Sequence, residues 1–180
     1  TTQRQFDNVE KSLVMAILNV TPDSFSDGGR FSTIDEALKQ AEKLTSEGAN
    51  ILDIGGESTR PNAKKVSIEE EIRRTSPVIE AIRKRFDIAV SIDTSKSEVA
   101  ENAVNAGAEI INDISGLRFD EKIAEVAARY KTGLVLMHLN GDFETMHEKR
   151  ESENILEDVA DVFLVCIEKA HEFGVTFEQI

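Results

Sequence analysis

The sequence predicts an α/β fold with a parallel sheet, and two observations support this prediction. Short apolar runs typical of buried strands alternate five times with longer segments whose apolar residues recur at helical spacing. Strands that are apolar throughout are buried on both faces, as in parallel sheets covered by helices. Right-handed connections leave two architectures, an open doubly wound sheet and a (β/α)8 barrel, and 180 residues favour the open sheet by length.

The five strands follow from apolar runs bounded by polar or turn-forming residues. Each run is four to six residues long, or three in one case, which is too short for a helix and suits a buried strand. The predicted strands are residues 13–18, 51–54, 88–92, 109–111 and 134–137.

The helices between the strands are predicted from apolar periodicity and from their ends. Thr33, Ser67 and Ser95 each stand three residues before a glutamate, the capping-box pattern that begins a helix. Pro77 predicts a kink or an early break in the second helix. Cys166 lies among apolar residues at helical spacing, which predicts a core position in the fifth helix. Glycines are expected close after the helix ends, at Gly48, Gly107, Gly133 and Gly174.

Composition excludes several classes of function. A formal net charge of −13 argues against a nucleic-acid surface or an anionic membrane surface, because both need clustered positive charge. No apolar stretch is long enough to span a membrane, and no signal-peptide core is seen at the N-terminus. The single cysteine excludes an internal disulfide. We therefore expect a single cytoplasmic domain over residues 1–180.

Polar residues stand where each predicted strand stops, and this pattern predicts a shared site. They are Asn19, Asp53, Asp93, Asn112 and His138. The carboxyl ends of parallel strands form the ligand-binding face in both candidate architectures. We therefore expect the five side chains at one end of the sheet. No dinucleotide fingerprint, phosphate loop, zinc helix or nucleophile elbow is present to suggest another chemistry.

The motifs around these residues resemble the dihydropteroate synthase family. Residues 14–29, which include Thr21-Pro-Asp-Ser-Phe-Ser-Asp-Gly28, resemble its first signature, and residues 48–61 resemble its second. Residues 91–94 and 111–116 are similar to its third and fourth strand ends. The resemblance implies a (β/α)8 TIM barrel, of which this chain supplies about the first five βα units. Residues 1–180 are then a partial pterin-binding barrel domain that stops before the sixth strand.

The resemblance also implies an activity. Enzymes of this family condense 6-hydroxymethyl-7,8-dihydropterin pyrophosphate with 4-aminobenzoate in folate biosynthesis, with Mg2+ as cofactor, and sulfonamides block the step. Small molecules would thus be the partners, with no nucleic acid or membrane, and a homodimer is possible in the full-length protein. Two alternatives stay open: a non-catalytic pterin-binding fragment and a pterin-binding methyltransferase domain.

Site residues are carried over from the family motifs. Catalytic roles are implied for Asn19, Asp27 and Asp93, and Asn19 is also the implied metal ligand. Residues 21–30 would form a loop over the site, expected to be mobile without ligand. Pterin and pyrophosphate binding is implied for Asn19, Thr59, Asp93, Asn112 and Met137, and 4-aminobenzoate binding for Phe25, Ser58, Thr59, Arg60 and Pro61.

Overall fold

A computed structural model describes residues 4, 12–21, 30–58, 65–139, 141, 145 and 153–180, except the side chains of residues 30–33. Within these ranges five strands alternate with five α-helices, and a short 3-10 turn spans Phe177–Gln179. The strands form one parallel sheet in the order β1-β2-β3-β4-β5. This confirms the predicted fold class. The elements are β1 Met15–Asn19, α1 Arg30–Ser46, β2 Ile51–Gly55, α2 Ile68–Arg85, β3 Ala89–Asp93, α3 Ser97–Ala106, β4 Ile110–Asp113, α4 Lys122–Tyr130, β5 Gly133–Leu136 and α5 Ile155–Glu172.

The helices cover one face of the sheet, and the core lies beneath them. Each strand pairs with the next one in the chain, so right-handed connections place every intervening helix on the same side. One row of register partners faces these helices, and each member is at most 2% exposed. Burying such a side chain stabilises the fold by about 1.5–3 kcal/mol. The row is Leu18, Ile54, Ile92, Ile111 and Leu134.

At two strands, the polar residue that the sequence analysis placed at the strand end does not lie there. β2 continues to Gly55, so Asp53 lies two residues inside the strand rather than at its end. β5 ends at Leu136, two residues before His138. The polar strand ends therefore do not all lie at one level of the sheet.

One of the three predicted helix starts is correct. Ser67 caps α2, since its hydroxyl accepts a hydrogen bond from the backbone N–H of Glu70 at 3.3 Å. Thr33 is inside α1, which begins at Arg30. The prediction for Ser95 is wrong because α3 begins at Ser97, whose N–H donates to Asp120 Oδ2 at 2.8 Å.

The second helix runs through Pro77, so the early break predicted there does not occur. α2 is continuous from Ile68 to Arg85. Val78, Ile79 and Ile82 follow the proline and are almost fully buried, and their packing compensates for the donor that proline lacks. Within the described ranges, no helix combines the length and apolar character needed to cross a bilayer.

Candidate functional site

The face of the sheet opposite the helices, here called the open face, carries a row of polar residues at the carboxyl ends of the strands. Asn19 pairs in register with Gly55, Gly55 with Asp93, Asp93 with Asn112, and Asn112 with Val135. Neighbouring strands lie about 4.8 Å apart, so the neighbours Asp93 and Asn112 lie within reach of one small ring system. The structure thus brings together Asn19, Asp93 and Asn112, which the sequence analysis selected.

Gly55 is the reason that Asn19 and Asp93 can approach each other. A Cβ atom at this position would lie 2.8 Å from Asn19 Oδ1 and 3.6 Å from Asp93 Oδ2. The first distance is too short for any side chain to be accepted without moving Asn19. The missing side chain therefore leaves a gap between an amide oxygen and a carboxylate, where a ligand can contact both.

The carboxyl group of Asp93 is electrostatically unusual. Burial raises its pKa from 3.8 to about 7, and the negative charges of Asp53, Glu71, Asp113 and Glu57 add to the increase. No hydrogen bond joins this carboxyl group to another described residue. It is thus a half-buried acceptor without a hydrogen-bond partner in the described part of the chain, which is typical of a ligand-binding group rather than of a helix cap.

Asp53 lies one row below and supports Asn112. Asn112 Nδ2 donates to Asp53 Oδ2 at 2.9 Å, which leaves the amide oxygen as the acceptor that Asn112 can present to a ligand. Asp53 is 4% exposed, and burial raises its pKa. The hydrogen bond from Asn112 lowers this pKa in part. The resemblance to the family motifs did not imply this supporting role for Asp53.

The carboxylate at the end of β4 has a structural role. Asp113 Oδ1 accepts hydrogen bonds from the N–H and the hydroxyl of Ser115, and Oδ2 accepts from the N–H of Leu117 at 2.7 Å. These bonds hold the turn in which Gly116 and Leu117 adopt positive φ angles. The Cys166 thiol donates to the carbonyl of Gly116 at 3.0 Å and is buried, as the predicted core position requires.

Two residues follow β5 near this edge. Met137 is 38% exposed, and its N–H donates to the carbonyl of Asp113 at 3.1 Å, which holds it next to β4. His138 Nε2 is buried and has no hydrogen-bond partner in the part of the chain that the structure describes. The structure therefore brings Met137 to the site edge, and it shows no hydrogen bond between His138 Nε2 and the polar row among the described residues.

Several residues selected from the sequence lie outside the described residues. Of the residues implied to bind 4-aminobenzoate, Ser58 alone is within the described ranges, three positions after the end of β2. The predicted mobile loop at residues 21–30 is also mostly outside the described ranges. The other selected residues that are not described are Phe25, Asp27, Thr59, Arg60 and Pro61.

The described residues do not assemble a complete metal site by themselves. No group of three or more histidine, cysteine, aspartate or glutamate side chains within the described ranges could hold a metal ion. Asn19 nevertheless has the chemistry of one magnesium ligand, because its amide oxygen is a hard donor beside the gap at Gly55. Such a site needs further oxygen ligands from water or from a phosphate group.

Comparison with known sequences points to one family. The profile of the family described as pterin binding enzyme matches residues 15–180. The dihydropteroate synthase of Synechocystis is 45% identical over 178 residues, which are 99% of this chain and 62% of that protein. The chain therefore spans about three-fifths of the length of this curated relative.

Solved structures show the same likeness. The dihydropteroate synthase of Clostridium difficile, solved in the presence of pteroic acid, superimposes with a TM-score of 0.90 at 42% identity and covers 98% of this chain and 65% of that one. The Xanthomonas albilineans dihydropteroate synthase, solved with 4-aminobenzoic acid, gives a TM-score of 0.85 at 40% identity, with 94% and 60% covered. Both agree with the parallel, sequentially ordered sheet described above.

Proposed function

The chain belongs to the family of pterin binding enzymes, and from this premise we propose that the complete protein carrying it is a dihydropteroate synthase. The proposed reaction joins 6-hydroxymethyl-7,8-dihydropterin pyrophosphate to 4-aminobenzoate and yields 7,8-dihydropteroate and pyrophosphate. The row of Asn19, Asp93 and Asn112 around the gap at Gly55 carries the proposal, because it offers acceptors for a flat, donor-rich ring.

Asp93 and Asn112 are the proposed pterin-recognition residues. An aminopyrimidinone ring presents N–H donors beside a carbonyl acceptor, so a carboxylate next to an amide can pair with it along one edge. The Asp93 carboxyl group has no partner among the described residues, and the Asn112 amide is oriented by Asp53. Met137, half exposed at the same edge, would pack against the ring.

Asn19 is the proposed ligand for Mg2+. Its amide oxygen, together with pyrophosphate oxygens and water, would complete the coordination that this ion prefers. When bound, the ion neutralises charge on the leaving pyrophosphate. Support comes from the position of Asn19 at the carboxyl end of β1, next to the proposed pterin-binding residues.

The bond changes in this reaction require positioning more than proton abstraction. The bond from the pterin methylene carbon to the pyrophosphate oxygen breaks, and a bond from that carbon to the aniline nitrogen forms, with loss of one proton from nitrogen. The amine is already nucleophilic, so orientation and charge stabilisation are the main contributions. By resemblance, Phe25, Asp27, Ser58, Thr59, Arg60 and Pro61 would serve the 4-aminobenzoate side and the closing loop.

The complete protein is further proposed to be cytoplasmic and to form a homodimer. The first proposal rests on its place in a biosynthetic family and on the absence of a membrane-crossing helix among the described residues. The second rests on the resemblance alone. Analytical ultracentrifugation of the complete protein tests it, and a monomer at micromolar concentration contradicts it.

The function is tested by turnover of the complete protein. We expect pyrophosphate release that requires both substrates and Mg2+, with 7,8-dihydropteroate identified by mass spectrometry. An Asn19→Ala variant is the control for adventitious activity. Pterin binding by calorimetry without any turnover would favour the non-catalytic pterin-binding protein instead, and no pterin binding would overturn the proposal.

A further inference from the structure

Thr94 follows Asp93 directly and is bonded to the polar row on one side and to a buried carboxylate on the other. Its backbone N–H donates to the carbonyl of Asn112 at 3.1 Å, beside the register pair of Asp93 with Asn112. Its hydroxyl donates to Glu71 Oε1 at 2.7 Å. Thr94 is 4% exposed, which leaves its side chain little surface for contact with a ligand.

The direction of the Thr94 hydroxyl is fixed, because it both donates and accepts a hydrogen bond. It accepts from the backbone N–H of Lys96 at 3.3 Å while it donates to Glu71. A hydroxyl has one donor hydrogen, and the carboxylate takes it. The turn that follows β3 is therefore bonded to α2 as well as to β4.

Glu71 gives Thr94 a rigid partner. Its side chain is 1% exposed, and its other oxygen, Oε2, accepts from the ammonium group of Lys96 at 2.6 Å. A buried carboxylate is stable only when it is paired and hydrogen-bonded, and here both oxygens are engaged. Gly56 lets α2 come this close to the end of β2, since a Cβ atom there would lie 2.9 Å from Glu71 Cγ.

We infer that Thr94 is a positioning residue for pterin recognition. The Asp93 carboxyl group has no hydrogen-bond partner in the described part of the chain, so its placement depends on the backbone that carries it. That backbone is held through Thr94, by Asn112 across the strand pair and by Glu71 from α2. Thr94 thereby sets the two proposed pterin-binding groups, Asp93 and Asn112, relative to each other. This inference rests on the proposed function and deepens it.

Thr94→Val is the direct test, because valine keeps the shape of threonine and removes the hydroxyl. In the complete protein we expect the Kd of 6-hydroxymethyl-7,8-dihydropterin pyrophosphate, measured by calorimetric titration, to rise about tenfold, the equivalent of one hydrogen bond. Thr94→Ser keeps the hydroxyl, and its Kd should stay within about twofold of the wild-type value.

Thr75→Val is the matched control. Thr75 is also buried, but its hydroxyl donates to the carbonyl of Glu71 within α2, at 2.8 Å, and not to the turn after β3. Its Kd should stay within about twofold of the wild-type value, because such a bond within a helix contributes little.

Thermal melts of the same variants separate positioning from stabilisation. A lower melting temperature of Thr94→Val with an unchanged Kd would make the hydroxyl structural only and overturn the inference. An equal rise of Kd in Thr75→Val would overturn it as well, since the effect would follow from packing around α2. A Kd for Thr94→Ser as weak as that of Thr94→Val would show that the hydroxyl is not the cause, with the same consequence.

If the wild-type protein binds no pterin, the proposed function fails by itself, and the anchor is tested separately. Hydrogen exchange at the amide of residue 94, which bonds to the Asn112 carbonyl, should be about tenfold faster in Thr94→Val than in Thr75→Val. Equal exchange rates would overturn the inference.

Discussion

Replacing Asp93 with asparagine should separate ligand binding from stability. At the end of a helix the two residues are nearly equivalent, so a capping aspartate would tolerate the change. At a ligand site the amide places donors where the carboxylate has acceptors, which costs a charge-assisted hydrogen bond. We expect pterin affinity to fall about ten- to a hundredfold, equivalent to about 1.5–3 kcal/mol.

The stability of the Asp93→Asn variant should change in the opposite direction. Burial and neighbouring charges raise the pKa of Asp93 from 3.8 to about 7, so the folded protein binds this proton more tightly than the unfolded chain. The Asp93 carboxyl group therefore does not lower the free energy of unfolding below about pH 4. This free energy falls as pH rises from 4 towards 7, and the full loss is present at higher pH. The pKa of Asp93 is raised by about three units, and at about 1.36 kcal/mol per unit the loss in free energy of unfolding is up to about 4 kcal/mol. Asparagine carries no charge, so the Asp93→Asn variant should recover this free energy at pH 8.

The assay combines calorimetric titration of a pterin ligand with thermal melts at pH 4 and pH 8. Asp120→Asn is the matched control, because that carboxylate accepts from the N–H groups of Ser97 and Lys122 and does cap a turn. It should leave pterin affinity within about twofold. Unchanged affinity in Asp93→Asn, or a lower melting temperature at pH 8, would refute the reasoning.

Two further substitutions probe the same row. Gly55→Ala should weaken pterin pyrophosphate binding at least about tenfold in calorimetry, because its Cβ would lie 2.8 Å from Asn19 Oδ1. Gly133→Ala is the control and should leave binding unchanged, because its Cβ would make an ordinary 3.4 Å contact. Equal effects of the two substitutions on binding would contradict this explanation. Asp53→Asn should lower the pKa of Asp93, since the Asp53 charge is among the causes that raise it. The midpoint in the pH dependence of pterin binding should then move to more acidic pH, and an unmoved midpoint would show that the two groups are not coupled.

Local patterns predicted some helix boundaries and not others, and the difference has a physical cause. Ser67 caps α2 because the partner of its hydroxyl is three residues away in the chain. The N–H at the start of α3 is satisfied by Asp120, which is 23 residues away from Ser97. A window of a few residues cannot contain such a contact, so the capping pattern at Ser95 was misleading.

The candidate site was predictable in part for the same reason. Asn19, Asp93 and Asn112 end apolar runs, and that pattern alone selected them. The hydrogen bond between Asn112 and Asp53 joins residues 59 positions apart, and the contact of Lys96 with Glu71 spans 25. No spacing rule connects these pairs, because they meet only when neighbouring strands and the turns after them are brought side by side.

The amino-acid sequence by itself determined the alternation of strands and helices, the parallel sheet and the family, because apolar periodicity and long motifs are local properties. The tertiary structure decided which side of each strand is buried. Ile17 and Leu18 are adjacent apolar residues of β1, yet Ile17 is 66% exposed and Leu18 is 2% exposed. Among the described residues, helices cover one face of the sheet and leave the other uncovered, so identical apolar character leads to opposite environments. The same asymmetry places Asn19 and Asp93 on the open face, where a ligand can reach them.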